Sequence, residues 1–113
     1  MASREDMETP EHIADDFEYA CTVDEVPEFM PRKVQVADRG VLVCRKDGAI
    51  HAVDEICPHK NQSMERAPVI NGEIICPHHR YRFNLETGRC NQRCAPVQVY
   101  EVAVADDQVW IRP

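Results

Sequence analysis

Two segments, Cys57-Pro58-His59 and Cys76-Pro77-His78-His79, separated by sixteen residues, constrain this chain more than anything else in it. Each places a thiol and an imidazole on one short loop that follows an apolar stretch. Both groups are metal ligands, and two such loops facing each other supply four donors to a single centre. A proline after each cysteine stiffens both loops. The fold therefore has to carry two separate loops to one place.

The rest of the chain alternates short apolar stretches with turns, and predicts strands over 17–22, 33–37, 41–45, 49–53, 72–76 and 81–85 and along 97–111. Lys46-Asp47-Gly48 and Ile70-Asn71-Gly72 predict tight hairpins, because Asp-Gly and Asn-Gly tolerate positive φ. Asp106-Asp107 predicts a third, with its turn type open. Between 97 and 104 the apolar residues fall in two phases, Val97 and Val99 against Tyr100, Val102 and Val104, which predicts a bulge. Thr22-Val23-Asp24-Glu25 can cap one helical turn, and Pro27 and Pro31 stop it there. The expected class is all-β, without internal repeats.

A length of 113 residues allows one compact domain. Thirteen Lys and Arg against 20 Asp and Glu give a net charge of −7, which repels phosphate backbones and argues against nucleic acid as a partner. The longest apolar runs, such as 40–44, fall far short of the roughly 20 residues that span a bilayer, so no membrane helix is expected. The acidic first ten residues lack the basic stretch and apolar core of a secretory signal, which predicts a cytoplasmic protein. In that setting six cysteines point to thiol or metal chemistry before disulfides. Residues 1–16 carry many charges and few large apolar side chains, and are expected to form a mobile acidic tail. The folded domain is then 17–113.

The order Cys-x-His then Cys-x-x-His, with this spacer, resembles the Rieske ferredoxins. The likeness extends from the ligands to 41–53 on one side and to 81–104, with Thr87-Gly88 and Ala95-Pro96, on the other. What it implies is a [2Fe–2S] cluster with Cys57 and Cys76 on one iron and His59 and His79 on the other, His78 staying outside. It also implies a Rieske-type antiparallel β sandwich or barrel as a base, with a small cluster-binding lobe inserted at about 56–94. A zinc site is the alternative reading of two cysteines and two histidines. Zinc fingers, however, usually group their cysteines and their histidines, whereas here each loop contributes one of each. High-potential respiratory members add a disulfide between the loops and hydroxyl donors toward the cluster. Here Gln62 and His78 stand at the disulfide positions, Tyr81 at the serine and Phe83 at the tyrosine, so the resemblance implies a potential low in the class range.

No nucleophile elbow, phosphate-binding glycine loop or partnered carboxylate pair is present, so an electron carrier is expected and not an enzyme in its own right. The resemblance implies a flavin-dependent reductase and a terminal oxygenase as partners, with the small subunit of a nitrite-reductase-like enzyme as the alternative. A zinc-bound interaction module without redox activity is the reading from another class. Lys60, Arg66, Arg80 and Arg82 flank the ligand loops and make that region locally basic. Cys21 and Cys44, in strand-like runs, are expected to pack as small apolar groups, and Trp110 to fill a core. Cys90 and Cys94 can pair by spacing, but a reducing compartment predicts thiols. His12 and His51 are expected to be ordinary surface or core residues.

Overall fold

The computed structural model of the chain describes residues 13–58, 61–77 and 81–113. Its strands are β1 (Glu18–Thr22), β2 (Arg32–Val36), β3 (Arg39–Lys46), β4 (Ala49–Asp54), β5 (Val69–Ile70), β6 (Glu73–Ile75), β7 (Arg82–Asn84), β8 (Val99–Ala105) and β9 (Gln108–Arg112). Six of them form an antiparallel sheet in the order β1-β9-β8-β4-β3-β2, whose ends β1 and β2 approach each other in a nearly closed barrel. The other three, β5-β6-β7, form a small separate sheet inserted between β4 and β8. Among the described residues no helix is long and apolar enough to cross a membrane.

Four two-residue turns join neighbouring strands, and each places both central residues at positive φ. They are Ala37-Asp38, Asp47-Gly48, Asn71-Gly72 and Asp106-Asp107. This is the backbone twist that matches right-twisted antiparallel strands. A 3₁₀ turn, Val23–Glu25, follows β1. The backbone N–H and hydroxyl of Thr22 both donate to the Glu25 carboxylate, and the Arg45 guanidinium donates to the carbonyls of Val23 and Val26.

The large sheet is apolar on both faces, which is why 40–44 reads as an unbroken apolar run. Val41, Val43, Ala52 and Tyr100 turn into the barrel with Val36, Val109 and Ile111. Leu42, Cys44 and Val53 turn outward and pack with Val97 under the inserted lobe, against Met64, Ile74, Phe83 and Leu85. The same division accounts for the two phases between 97 and 104. Val97 and Val99 face the lobe and Tyr100 and Val102 face the barrel, and the β8–β9 register runs without a shift. The two phases thus need no bulge to reconcile them, and a register shift lies instead in β1, between Tyr19 and Cys21.

Of the stretch 1–16 expected to form a mobile acidic tail, residues 1–12 lie outside the described residues; Ile13 is buried with Trp110 and Ala105, and Asp16 pairs with Arg112 at 2.7 Å. One further expectation needs correction, that Cys90 and Cys94 stay thiols. Cys90 and Cys94 form a disulfide across a Cα separation of 5.9 Å, within the span that such bonds need. A reducing compartment disfavours disulfides in general, whereas the pairing here is set by local geometry, two cysteines four residues apart on one tight loop. Cys21, Cys44 and Trp110 are buried as expected, Trp110 edge-on to Tyr19.

Candidate metal centre

Two loops of equal length carry the candidate ligands. The bridge between Ile56 and Ser63 closes the first, 57–62, and the β6–β7 pair Ile75 and Arg82 closes the second, 76–81. A cysteine opens each. In the first, the Cys57 N–H donates to the Gln62 carbonyl at 2.8 Å and the Asn61 N–H to the Cys57 carbonyl at 2.7 Å. In the second, the Cys76 N–H donates to the Tyr81 carbonyl at 2.8 Å. These bonds hold the backbone of Cys57 and Cys76, the residue at the head of each loop.

Both cysteine side chains are withdrawn from solvent and share one apolar core with Met64, Ile74, Phe83 and Leu85. Cys57 and Cys76 thus belong to one core, each at the head of its own loop. His59, with Lys60, and His79, with His78 and Arg80, lie outside the described residues. Among the described residues no three His, Cys, Asp or Glu side chains converge. Cys44 shares the core, and burial pushes its thiol up to about 12; it lies in β3 and not on either ligand loop. A pair of thiols enclosed in an apolar pocket, each on its own closed loop, fits an iron–sulfur cluster. Cluster sulfurs ask for enclosure, and thiolates supply the charge.

The first loop is braced from behind. Glu55 accepts a hydrogen bond from the Ser63 hydroxyl at 2.6 Å and pairs with Lys33 at 3.1 Å. The Ser63 bond, then Lys33, hold its carboxyl below the usual range against the opposing effect of partial burial. The Glu55 backbone ties the loop to the start of β3 through Gly40 and to Met64. Behind the second loop, Gly88 sits at positive φ, where a Cβ would run into the Val97 carbonyl. This close approach fixes the lobe on the sheet.

One element escaped the sequence reading. The segment 89–91 runs antiparallel to β7, with Asn84 bonded to Arg89, Phe83 bridged to Cys90, and Arg82 and Asn91 bonded to each other. It places the disulfide loop beside the second ligand loop. The spacing of Cys90 and Cys94 was the only signal for it in the sequence.

The Rieske [2Fe-2S] domain profile matches residues 16–103. The chain is 33% identical over 96 residues to the 3-phenylpropionate/cinnamic acid dioxygenase ferredoxin subunit of Photorhabdus laumondii, covering 82% of this chain and 90% of that one. Among solved structures it resembles a ferredoxin of Sphingomonas yanoikuyae B1, with a TM-score of 0.79, 25% identity, and coverage of 86% of this chain and 98% of that one. It also matches a chain in the complex of reduced oxygenase and oxidized ferredoxin of carbazole 1,9a-dioxygenase, with a TM-score of 0.74 at 25% identity, covering 82% of this chain and 98% of that one.

Proposed function

The chain belongs to the Rieske [2Fe-2S] domain family, and from that premise we propose that Cys57 and Cys76 hold one iron of its cluster and His59 and His79 the other. The observation that carries this assignment is the enclosure of both cysteines in one core, each at the head of a six-residue closed loop. When bound, the cluster takes up and releases one electron at a time. Two neutral imidazoles in place of two thiolates leave the site less negative, which favours accepting the electron.

The residues around it position the ligands and exclude water. The backbone bonds of Cys57, Asn61 and Cys76 hold the two cysteines, and Met64, Ile74, Phe83 and Leu85 pack against them. The protein is an electron carrier that serves a terminal oxygenase, as its ferredoxin relatives do by name. A flavin-dependent reductase is the proposed electron source.

The test is the purified protein, handled anaerobically. Two irons and two acid-labile sulfides per chain and a Rieske electron paramagnetic resonance spectrum are expected, and His79→Cys should alter that spectrum. An unchanged spectrum would remove His79 from the ligand set. A colourless protein holding zinc would instead overturn the carrier reading.

A further inference from the structure

We propose that the disulfide-pinned loop 90–94, with Arg82 beside it, forms a basic docking surface for an acidic patch on the redox partner. The proposal rests on the carrier function above and assigns the partner's surface chemistry.

The placement follows from the register. β7 leads away from the second ligand loop, and 89–91 returns alongside it, so the chain is level with Arg82, at the base of that loop, when it reaches Asn91. Gln92 and Arg93 come next, before Cys94 closes back on Cys90. Cys90 and Cys94 pack on the same core as Cys57, Cys76 and Tyr81. Residues 91–93 therefore stand at the cluster end of the lobe, all three exposed. The disulfide holds them there without a regular strand.

Charge is segregated along the chain. Residues 56–94 hold six of the 13 Lys and Arg but three of the 20 Asp and Glu, a net +3, which leaves −10 for the remainder. The lobe's own carboxylates are partly spoken for. Glu65 faces Lys33 at 3.9 Å and Glu86 faces Lys46 at 3.3 Å, both lysines belonging to the large sheet. Arg82 and Arg93 are exposed and form no ion pair among the described residues.

Screening decides which charge a partner feels. At physiological salt the field decays over about 8 Å, and the narrowest dimension of the molecule is 24 Å. A partner approaching the cluster end therefore meets the local positive charge, and the acidic barrel is largely screened. An acidic partner patch is drawn in and oriented, although the net charge of −7 alone would repel it.

The experiment uses small redox probes of opposite charge. The reduced holoprotein passes one electron to trianionic hexacyanoferrate(III), giving hexacyanoferrate(II), or to tricationic hexaammineruthenium(III), giving the ruthenium(II) ion. Stopped-flow rates are taken as salt is raised. With hexacyanoferrate(III) the wild-type rate should fall by about threefold or more across the range where screening sets in, and with the ruthenium probe it should not fall. Arg82→Glu with Arg93→Glu should abolish or reverse the hexacyanoferrate trend, whereas Arg32→Glu on the large sheet should leave it in place. A wild-type hexacyanoferrate rate that rises with salt, or a trend unmoved in the double variant, would overturn the proposal. Iron content and the reduced spectrum, measured on the same samples, separate that outcome from failure of the carrier reading.

Discussion

At the scale of single residues, Phe83 is expected to tune the proposed centre by what it lacks. It is fully buried in the core that holds both cysteines, and its ring has no hydrogen to donate. Hydrogen bonds to cluster sulfurs raise the potential, so the midpoint should fall below about +100 mV in a class that spans about −150 to +300 mV. A neutral hydrogen bond is worth about 0.5–1.5 kcal/mol, which for a one-electron couple converts to about 20–65 mV. Phe83→Tyr is expected to raise the midpoint by that amount in protein-film voltammetry, and an intact cluster at an unmoved potential would count against the argument. The buried thiols show the converse, chemistry suppressed by packing. Burial, then nearby Glu25, pushes Cys21 up to about 11, and burial pushes Cys44 up to about 12, from an ordinary 9.0. Raised values mean that the stability tied to the neutral thiols is complete below pH 9 and drains away as pH climbs through the folded values. Iodoacetamide at pH 8 should leave both residues unmodified in the native protein and label both after denaturation, as read by mass spectrometry. Labelling of the native protein would show that either thiol is less enclosed than described.

At the scale of elements, the hairpins carry the register, and one of them is built from poor material. Ala37 sits at φ 50° in the β2–β3 turn, where a residue with a Cβ pays about 1–2 kcal/mol over the right-handed region. Replacing Ala37-Asp38 by Asn-Gly should stabilise the protein by about 1 kcal/mol and raise Tm by about 4 °C in calorimetry. A fall in Tm would mean that the turn is shaped by contacts and not by its own backbone. This turn also shows what the sequence could and could not disclose. Asp47-Gly48 and Asn71-Gly72 were legible because their residues accept positive φ at low cost. Ala37-Asp38 adopts the same geometry without that signature, forced by strands that pair on either side. The two-phase pattern after Val97 was visible, but a strand covered on both faces leaves the same trace as a bulge. The ligand loops were legible as candidates because donor types at fixed spacing carry their own chemistry; of those donors, Cys57 and Cys76 are seen in one core, and His59 and His79 lie outside the described residues. The return of 89–91 along β7 rests on long-range backbone bonds such as Arg82 to Asn91, which no local pattern encodes.

At the scale of the whole molecule, two cores lie on opposite faces of one sheet, and they do not depend on the cluster equally. The barrel core is filled by β1, β2, β3, β4, β8 and β9 through Cys21, Val36, Val41, Val43, Ala52, Tyr100, Val109 and Ile111, and no proposed ligand enters it. The lobe core contains Cys57 and Cys76, and its sheet has three short strands, two or three residues each. Three such strands bury little area of their own, so bound metal supplies folding free energy to the lobe in particular. The disulfide between Cys90 and Cys94 closes only a short loop and cannot substitute for a centre that joins two loops. Hydrogen–deuterium exchange on the holoprotein and on protein stripped of iron should therefore diverge by region. The amides of Cys57, Asn61 and Cys76, each bonded within or across a ligand loop, should lose protection when the cluster is removed. Those of the β8–β9 and β3–β4 pairs should keep theirs, because one face of each pair packs on the barrel core and their ladders are long. Equal loss in both regions would mean that the barrel and the lobe fold as one cooperative unit, with the cluster holding both.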